Sequence, residues 1–268
     1  SVLRGIAVAV ARSASAAEVH MYGIDAGNGA LLPCLALPHV GAVATRDQPD
    51  RVRRLLTLLG REVARRQQLL ATEGFASLSE QRAKTPEPKR LPYLVLLIDR
   101  WDNFVATFEN VDGGAIIESV ESLMREGAAV GLRVVVAGDR TVFRSRFGML
   151  LEDRLLLRMP SPDDFDLVGM RAREVPLTMP QGRAFRSGPK PREVQLALLT
   201  ADVDGTAQVE AIHEAGRLSR EKWGEIPREL SAGHVDELPV AISAEKALEL
   251  GPPLAPGNIA LAVGGDDL

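Results

Sequence analysis

The sequence predicts an α/β fold built on a mostly parallel, doubly wound sheet, and three observations carry that reading. Tyr93 to Ile98 and, apart from Arg133, Leu132 to Ala137 are apolar runs without alternation, the pattern of parallel strands covered on both faces. An amphipathic helical pattern, Gly114 to Glu126, lies between them, with Gly127 and Gly131 bracketing the turn. Each strand then runs into polar residues, Asp99 in one case and Gly138-Asp139-Arg140 in the other, at the edge where ligands of such sheets gather.

Along the chain, Val2 to Ala11 is Ala-rich helical material that begins without a cap. Val19 to Ile24 reads as a strand ending at Asp25 and the Gly27-Asn28-Gly29 loop. Asp50 to Leu70 places Val52, Leu55, Leu56, Leu59, Val63 and Leu70 at helical spacing, with Asp50 as the expected N-cap. Ser77 to Pro92 is polar and holds three prolines, so a surface loop is expected there. Further on come a short strand at Leu155 to Leu157, a helix near Asp164 to Met170, a strand from Val194 to Leu199 and a helix from Thr206 to Lys222. Residues 227–268 carry Pro239, Pro252, Pro253 and Pro256 and read as a linker, with short strands at Val240 and at Ile259 to Val263.

Composition sets bounds. The chain has 268 residues, 46% hydrophobic and 25% charged, enough for a sizeable core. No window approaches the roughly 18 consecutive apolar residues of a membrane helix, and SVLRGIAVAVARSAS lacks the pattern of a signal peptide. The single cysteine, Cys34, excludes an internal disulfide framework and a cysteine-based zinc site. The net charge of −4 hides an asymmetry: residues 199–268 hold 13 acids and 5 bases, a balance of −8, which leaves +4 for residues 1–198. Arginines 46, 51, 53, 54, 61, 65 and 66 crowd one segment against Asp47, Asp50 and Glu62.

Asp99 carries the strongest chemical signal. A carboxylate at the tip of a buried strand either caps a turn or holds the water shell of Mg²⁺ beside a nucleotide, as the Walker B aspartate of P-loop ATPases does. The next residue is Arg100, where active ATPases of this type place a glutamate as base. Arginine takes no proton at neutral pH. The phosphate-cradling pattern G-x-x-x-x-G-K-[ST] does not occur in the chain.

Five segments together resemble the FtsK/SpoIIIE motor ATPases, including the EccC ATPases of type VII secretion. Leu37-Pro-His-Val-Gly-Ala-Val-Ala-Thr-Arg-Asp47 is similar to that family's "LPHL…VVTD" segment, and Gly60-Arg-Glu-Val-Ala-Arg-Arg66 to its "EMERRY" helix. Tyr93 to Asp99 sits where the family has Walker B, and Leu132 to Arg140 where it has "HLILATQRP". Met179-Pro-Gln-Gly-Arg-Ala-Phe185 resembles its late "PGRG" turn. Ser1-Val-Leu-Arg4 looks like the continuation of the helix after a P-loop, and Leu238 to Leu268 like the connector to a following module.

The resemblance implies a RecA-like P-loop NTPase core with helices flanking the sheet, lacking the first strand and P-loop within these residues. It implies an ATPase-type module over 1–226 and a connector over 227–268, one unit of a tandem motor. Nucleotide contacts are then expected from Ser1, Asp99, Asp139 and Arg140, and Mg²⁺ at Asp99 through water. Arg144 and Arg146 are candidate arginine fingers, and Asp25 and His39 belong to the site loop. Departures are informative: "DPKG" is Asp25-Ala26-Gly27, the base is Arg100, and "TQR" is Gly138-Asp139-Arg140.

The expected function is a degenerate ATP-binding module of a membrane-associated secretion motor, regulatory or partner-binding, with weak or no hydrolysis. Its expected partners are neighbouring modules of the same polypeptide, a secreted-substrate signal peptide, and further copies in a hexamer, at the cytoplasmic face of a membrane; the fragment itself is expected to be soluble. Two alternatives stand beside it: an active DNA translocase subunit that hydrolyses ATP, and a pure protein-binding module. The arginines of 46–66 bear on the translocase reading, since aligned arginines grip nucleic-acid backbones. No aromatics interleave them, which argues against a single-strand stacking platform.

Overall fold

The computed structural model describes residues 2–237, apart from 145, 152, 172, 174, 177 and 189, together with Ser243. The strands expected at Val240 and at Ile259 to Val263 lie outside the described residues. A four-stranded parallel sheet has the order β2-β1-β3-β4, formed by β1 (Val19–Asp25), β2 (Val40–Thr45), β3 (Tyr93–Asp99) and β4 (Leu132–Val136). β1 and β3 pair residue for residue, from Val19 opposite Tyr93 to Asp25 opposite Asp99.

Alternation along the two central strands divides the core between the faces of the sheet. Tyr22, Ile24, Leu94, Leu96 and Ile98 pack with α2 (Pro49–Glu73), α4 (Trp101–Phe108) and α5 (Ala115–Gly127). Met21 and Leu97 pack on the other side with α1 (Val2–Ser13) and α6 (Gly205–Trp223). Val52, Leu55, Leu59 and Val63 form the buried stripe of α2, and Ile116, Val120 and Leu123 that of α5. Gly127 lets Leu132 approach, because a β-carbon there would lie 2.7 Å from the leucine side chain.

Several local expectations are corrected. The N-cap of α2 is Gln48 rather than Asp50, because Pro49 supplies the first helical position without an N–H to satisfy. The proline-bearing stretch 77–92 holds a helix, α3 (Leu78–Lys84), whose Ser77 side chain accepts from the Glu80 N–H. The element near 164–170 is a 3₁₀ helix, Pro162–Val168, capped by Ser161. The late strand spans Arg192–Gln195 rather than 194–199 and is β7 of a separate antiparallel sheet with β5 (Leu155–Leu157) and β6 (Arg183–Arg186). Gly182, in the turn before β6, has φ +77 and faces Gln195. β2 and α4 were not expected as elements.

Beyond α6 the chain turns back. Residues 228–237 run from the Leu230 carbonyl beside His20, past Gly233 at Gly41, to Glu237 at Gln48 before α2, and Ala232 and Val235 are buried against the α2 side of the core.

Candidate functional site

The parallel register brings Asp25 and Asp99 to one edge, and residues 137–140 follow β4 to the same edge, since the Ala137 N–H donates to the Ile98 carbonyl. Asp25 is fully buried. Its carboxylate accepts from the backbone N–H of Gly27 at 2.9 Å and of Leu31 at 2.6 Å, so it shapes the loop it begins. Gly27 passes between the two carboxylates: a β-carbon there would lie 3.0 Å from Asp99 Oδ2 and 3.3 Å from Asp25 Oδ1. Arg4 on α1 donates to the Ala30 carbonyl and ties the first helix to this loop.

Asp99 is half-buried, and burial, reinforced by the neighbouring Asp25 charge, holds its carboxyl above the usual aspartate range. Arg100 follows in the left-handed region, with φ 56 and ψ 64, a conformation costly for a residue with a β-carbon. That backbone turns its guanidinium to Asp102, with contacts of 3.1 Å to Oδ1 and 2.7 Å to Oδ2. Hydrogen bonding to Arg100 holds the Asp102 carboxyl below its usual range. Directly after Asp99 this chain thus carries a cation bonded to the next helix.

The end of β4 is equally engaged. Gly138 lies where a β-carbon would come within 2.9 Å of Trp101 Cβ, so packing against α4 leaves no room for a polar side chain. Asp139 Oδ1 accepts from the Thr141 N–H at 2.9 Å and from its hydroxyl at 2.5 Å, closing a local turn. Arg140 is about half exposed and pairs at 3.1 Å with Asp164, whose side chain is 7% exposed. Asp164 therefore serves an ion pair, and among the described residues no cluster of three or more potential metal ligands occurs.

The structure brings Asp25, Asp99, Arg100, Asp139 and Arg140 to one edge, but not His39. That residue precedes β2, at the opposite end of the sheet. It is buried, its Nε2 lies 3.0 Å from the Ala14 carbonyl, and burial lowers its pKa. Ser1 lies outside the described residues; so do the side chains of Arg144 and Arg146, whose backbones belong to short 3₁₀ helices. Sequence reading missed Asp102 and Asp164 as the partners of the two edge arginines. For Asp102 a local signal existed, since an acid in the first turn of a helix two residues after an arginine is within reach of it.

Most of the arginines of 46–66 have internal partners. Arg53 pairs with Asp50 and Asp112, and Arg65 and Arg66 share Glu62. Arg51 and Arg54 donate to the carbonyls of Val235 and Asp236.

A parallel α/β sheet with its polar cluster at the carboxyl edge and helices on both faces is the architecture of P-loop ATPase domains. The chain belongs to the FtsK/SpoIIIE family, whose pattern it matches over residues 1–175. It is 29% identical over 208 residues to the ESX-4 secretion system protein EccC4 of Mycobacterium tuberculosis, covering 76% of this chain and 16% of that protein. It is 28% identical over 230 residues to the ESX secretion system protein EccC of Thermomonospora curvata, covering 83% of this chain and 17% of that protein. Among solved structures, ATPases 2 and 3 of Thermomonospora curvata EccC, in complex with a signal sequence peptide, superpose with a TM-score of 0.73 at 26% identity, covering 91% of this chain and 43% of that one. The chain thus spans under a fifth of the length of these two curated relatives.

P-loop ATPases in general use a nucleotide with Mg²⁺. The donor set at this edge fits the ion in one respect: Asp99 presents a carboxylate near the strand tip, and Mg²⁺ is commonly held by one or two carboxylates plus water and phosphate. Asp25, Asp102 and Asp139 already accept bonds from protein donors.

Proposed function

We propose that this chain is an ATPase-family module of a membrane-associated secretion or translocation motor that binds nucleotide or partner and hydrolyses ATP weakly or not at all. The observation that carries the reading is Arg100, which stands beside Asp99 where a base would act and is bonded to Asp102. A guanidinium accepts no proton from water at neutral pH. Asp139, with Oδ1 engaged by Thr141, is poorly placed to orient a water in its stead.

In this reading residues 1–226 form the module and 227–268 lead toward a following one. Asp99, Asp139 and Arg140 would contact the nucleotide at the carboxyl edge, and Ser1, outside the described residues, would be a further contact. Asp99 would hold Mg²⁺ through water, and the ion would neutralise phosphate charge there. Arg144 and Arg146 would face a neighbouring module or copy, in a hexamer at the cytoplasmic face of the membrane. The signal peptide on the Thermomonospora curvata relative supports a secreted protein as a partner. A DNA translocase is less well supported, because Arg51, Arg53, Arg54, Arg65 and Arg66 already bind groups of this chain.

Equilibrium binding of a fluorescent ATP analogue, to the chain lengthened upstream to include a complete P-loop, tests the reading. Binding that Asp99→Asn weakens, without phosphate release above background, is expected. Multiple turnover by the wild-type residues would refute it.

A further inference from the structure

Arg100 is bonded through only one side of its guanidinium. Asp102 takes Nε at 3.1 Å and Nη2 at 2.7 Å, and no hydrogen bond of Nη1 occurs among the described residues. A guanidinium carries five N–H donors in a rigid plane, so one side is fixed while the other stays open to a second anion. The side chain is 54% exposed, which leaves that second side within reach of a ligand. Nη1 of Arg140, the arginine that follows β4, is by contrast taken by Asp164 at 3.1 Å.

The backbone under Arg100 is enforced by its neighbours. The Trp101 N–H donates to the Ala137 carbonyl at 2.9 Å, and Asn103 Nδ2 donates to the Ala26 carbonyl at 3.1 Å. A β-carbon at Gly27 would lie 3.3 Å from Arg100 Cγ. The start of α4 is thus tied to the segments that follow β1 and β4, and Arg100 emerges between them beside Asp99. Hydrogen bonding to Asp102, and more weakly the charges of Asp99 and Asp139, favour its protonated form. An ion pair with a half-exposed arginine stabilises a fold only weakly, so folding alone gives no reason to hold an arginine at φ 56. Left-handed residues kept in place by their surroundings cluster at ligand clamps.

We propose that Arg100 selects a nucleoside triphosphate over a diphosphate: Asp102 holds its Nε and Nη2, and Nη1 donates to the terminal phosphate. This rests on the nucleotide reading above, in which Asp99 holds Mg²⁺ through water. In P-loop ATPases the metal bridges the two outer phosphates, so the residue beside Asp99 meets the terminal one. A diphosphate lacks that group. Arginine suits the task, because charge-assisted hydrogen bonds to phosphate are among the strong ones. The residue that cannot act as a base thereby keeps the module in a triphosphate-bound state.

Equilibrium titration of a fluorescent, non-hydrolysable triphosphate analogue and of its diphosphate counterpart tests the proposal, on the chain lengthened upstream to include a complete P-loop. Arg100→Asn removes the guanidinium but tolerates the left-handed backbone, so the melting temperature holds. It weakens triphosphate binding about tenfold and leaves diphosphate binding unchanged. Arg100→Lys keeps the charge without the two-sided fork and restores only part of the preference. An equal loss for both nucleotides, no loss for either, or full restoration by Arg100→Lys would overturn the assignment and leave the nucleotide reading intact. Failure of the wild-type residues to bind either nucleotide would overturn both.

Discussion

Asp99 and His20 sit at opposite ends of strands that pair in register, and their surroundings differ in kind. At the amino end, polar side chains are buried and matched to fixed partners: His20 to Leu230, Arg66 to Glu62, Pro92 and Val130. At the carboxyl edge, Asp99 is half-buried beside another carboxylate, and Arg100 holds a left-handed backbone. The same strands thus put architecture at one end and destabilising polar groups at the other. Unfavourable local chemistry of the second kind is typical of sites kept for function.

Removing Arg66 should show the largest effect. Its side chain is 1% exposed, and Arg66→Ala leaves the carbonyls of Pro92 and Val130 without their side-chain donor and a partly buried Glu62 with Arg65 as its remaining cation. A loss of about 3 to 5 kcal/mol is expected in chemical denaturation; a loss like that of a surface arginine would erase the contrast between the two ends.

Acid should act on the amino end next. Burial lowers the pKa of both His20 and His39 from the ordinary 6.5, so below that pH the unfolded chain binds protons that the folded chain does not. Stability is fully present above about pH 6.5 and falls as pH drops, by up to about 1.4 kcal/mol per pH unit for each histidine. Thermal melts from pH 7.5 to 5.5 should show the fall, and His39→Gln should reduce it.

The smallest effect should have the opposite sign. Asp99→Asn removes a carboxylate that burial and Asp25 disfavour in its charged form, and at pH 7 it should stabilise by up to about 1 kcal/mol after solvent screening. Destabilisation in the same denaturation assay would mean that Asp99 has a structural role.

The sequence made the strands β1, β3 and β4 legible because β3 is a continuous apolar run, β1 and β4 are mostly apolar around His20 and Arg133, and each leads into polar residues. β2 escaped notice because Val-Gly-Ala-Val-Ala-Thr is small and mild, although five of its six residues are buried; Gly41 is small because another backbone crosses it. The edge residues Asp25, Asp99, Asp139 and Arg140 were legible from strand ends and spacing. Their partners were less so: Asp164 reaches Arg140 across 24 positions, a separation that no local pattern reports. The arginine-rich helix looked like a surface for an anionic partner because sequence shows charges and not their bonds. Five of those arginines bind elements of this chain, two of them carbonyls more than 180 residues away.

Phosphate release on replacing Arg100 bears most directly on the central claim. In the chain lengthened upstream to include a complete P-loop, Arg100→Glu combined with Asp102→Asn supplies a carboxylate beside Asp99 and removes the Asp102 charge that would repel it. General-base catalysis contributes roughly 10²- to 10⁴-fold, so a rise of at least about tenfold over wild type is predicted. Equal rates for both proteins, with nucleotide bound in each, would contradict the account.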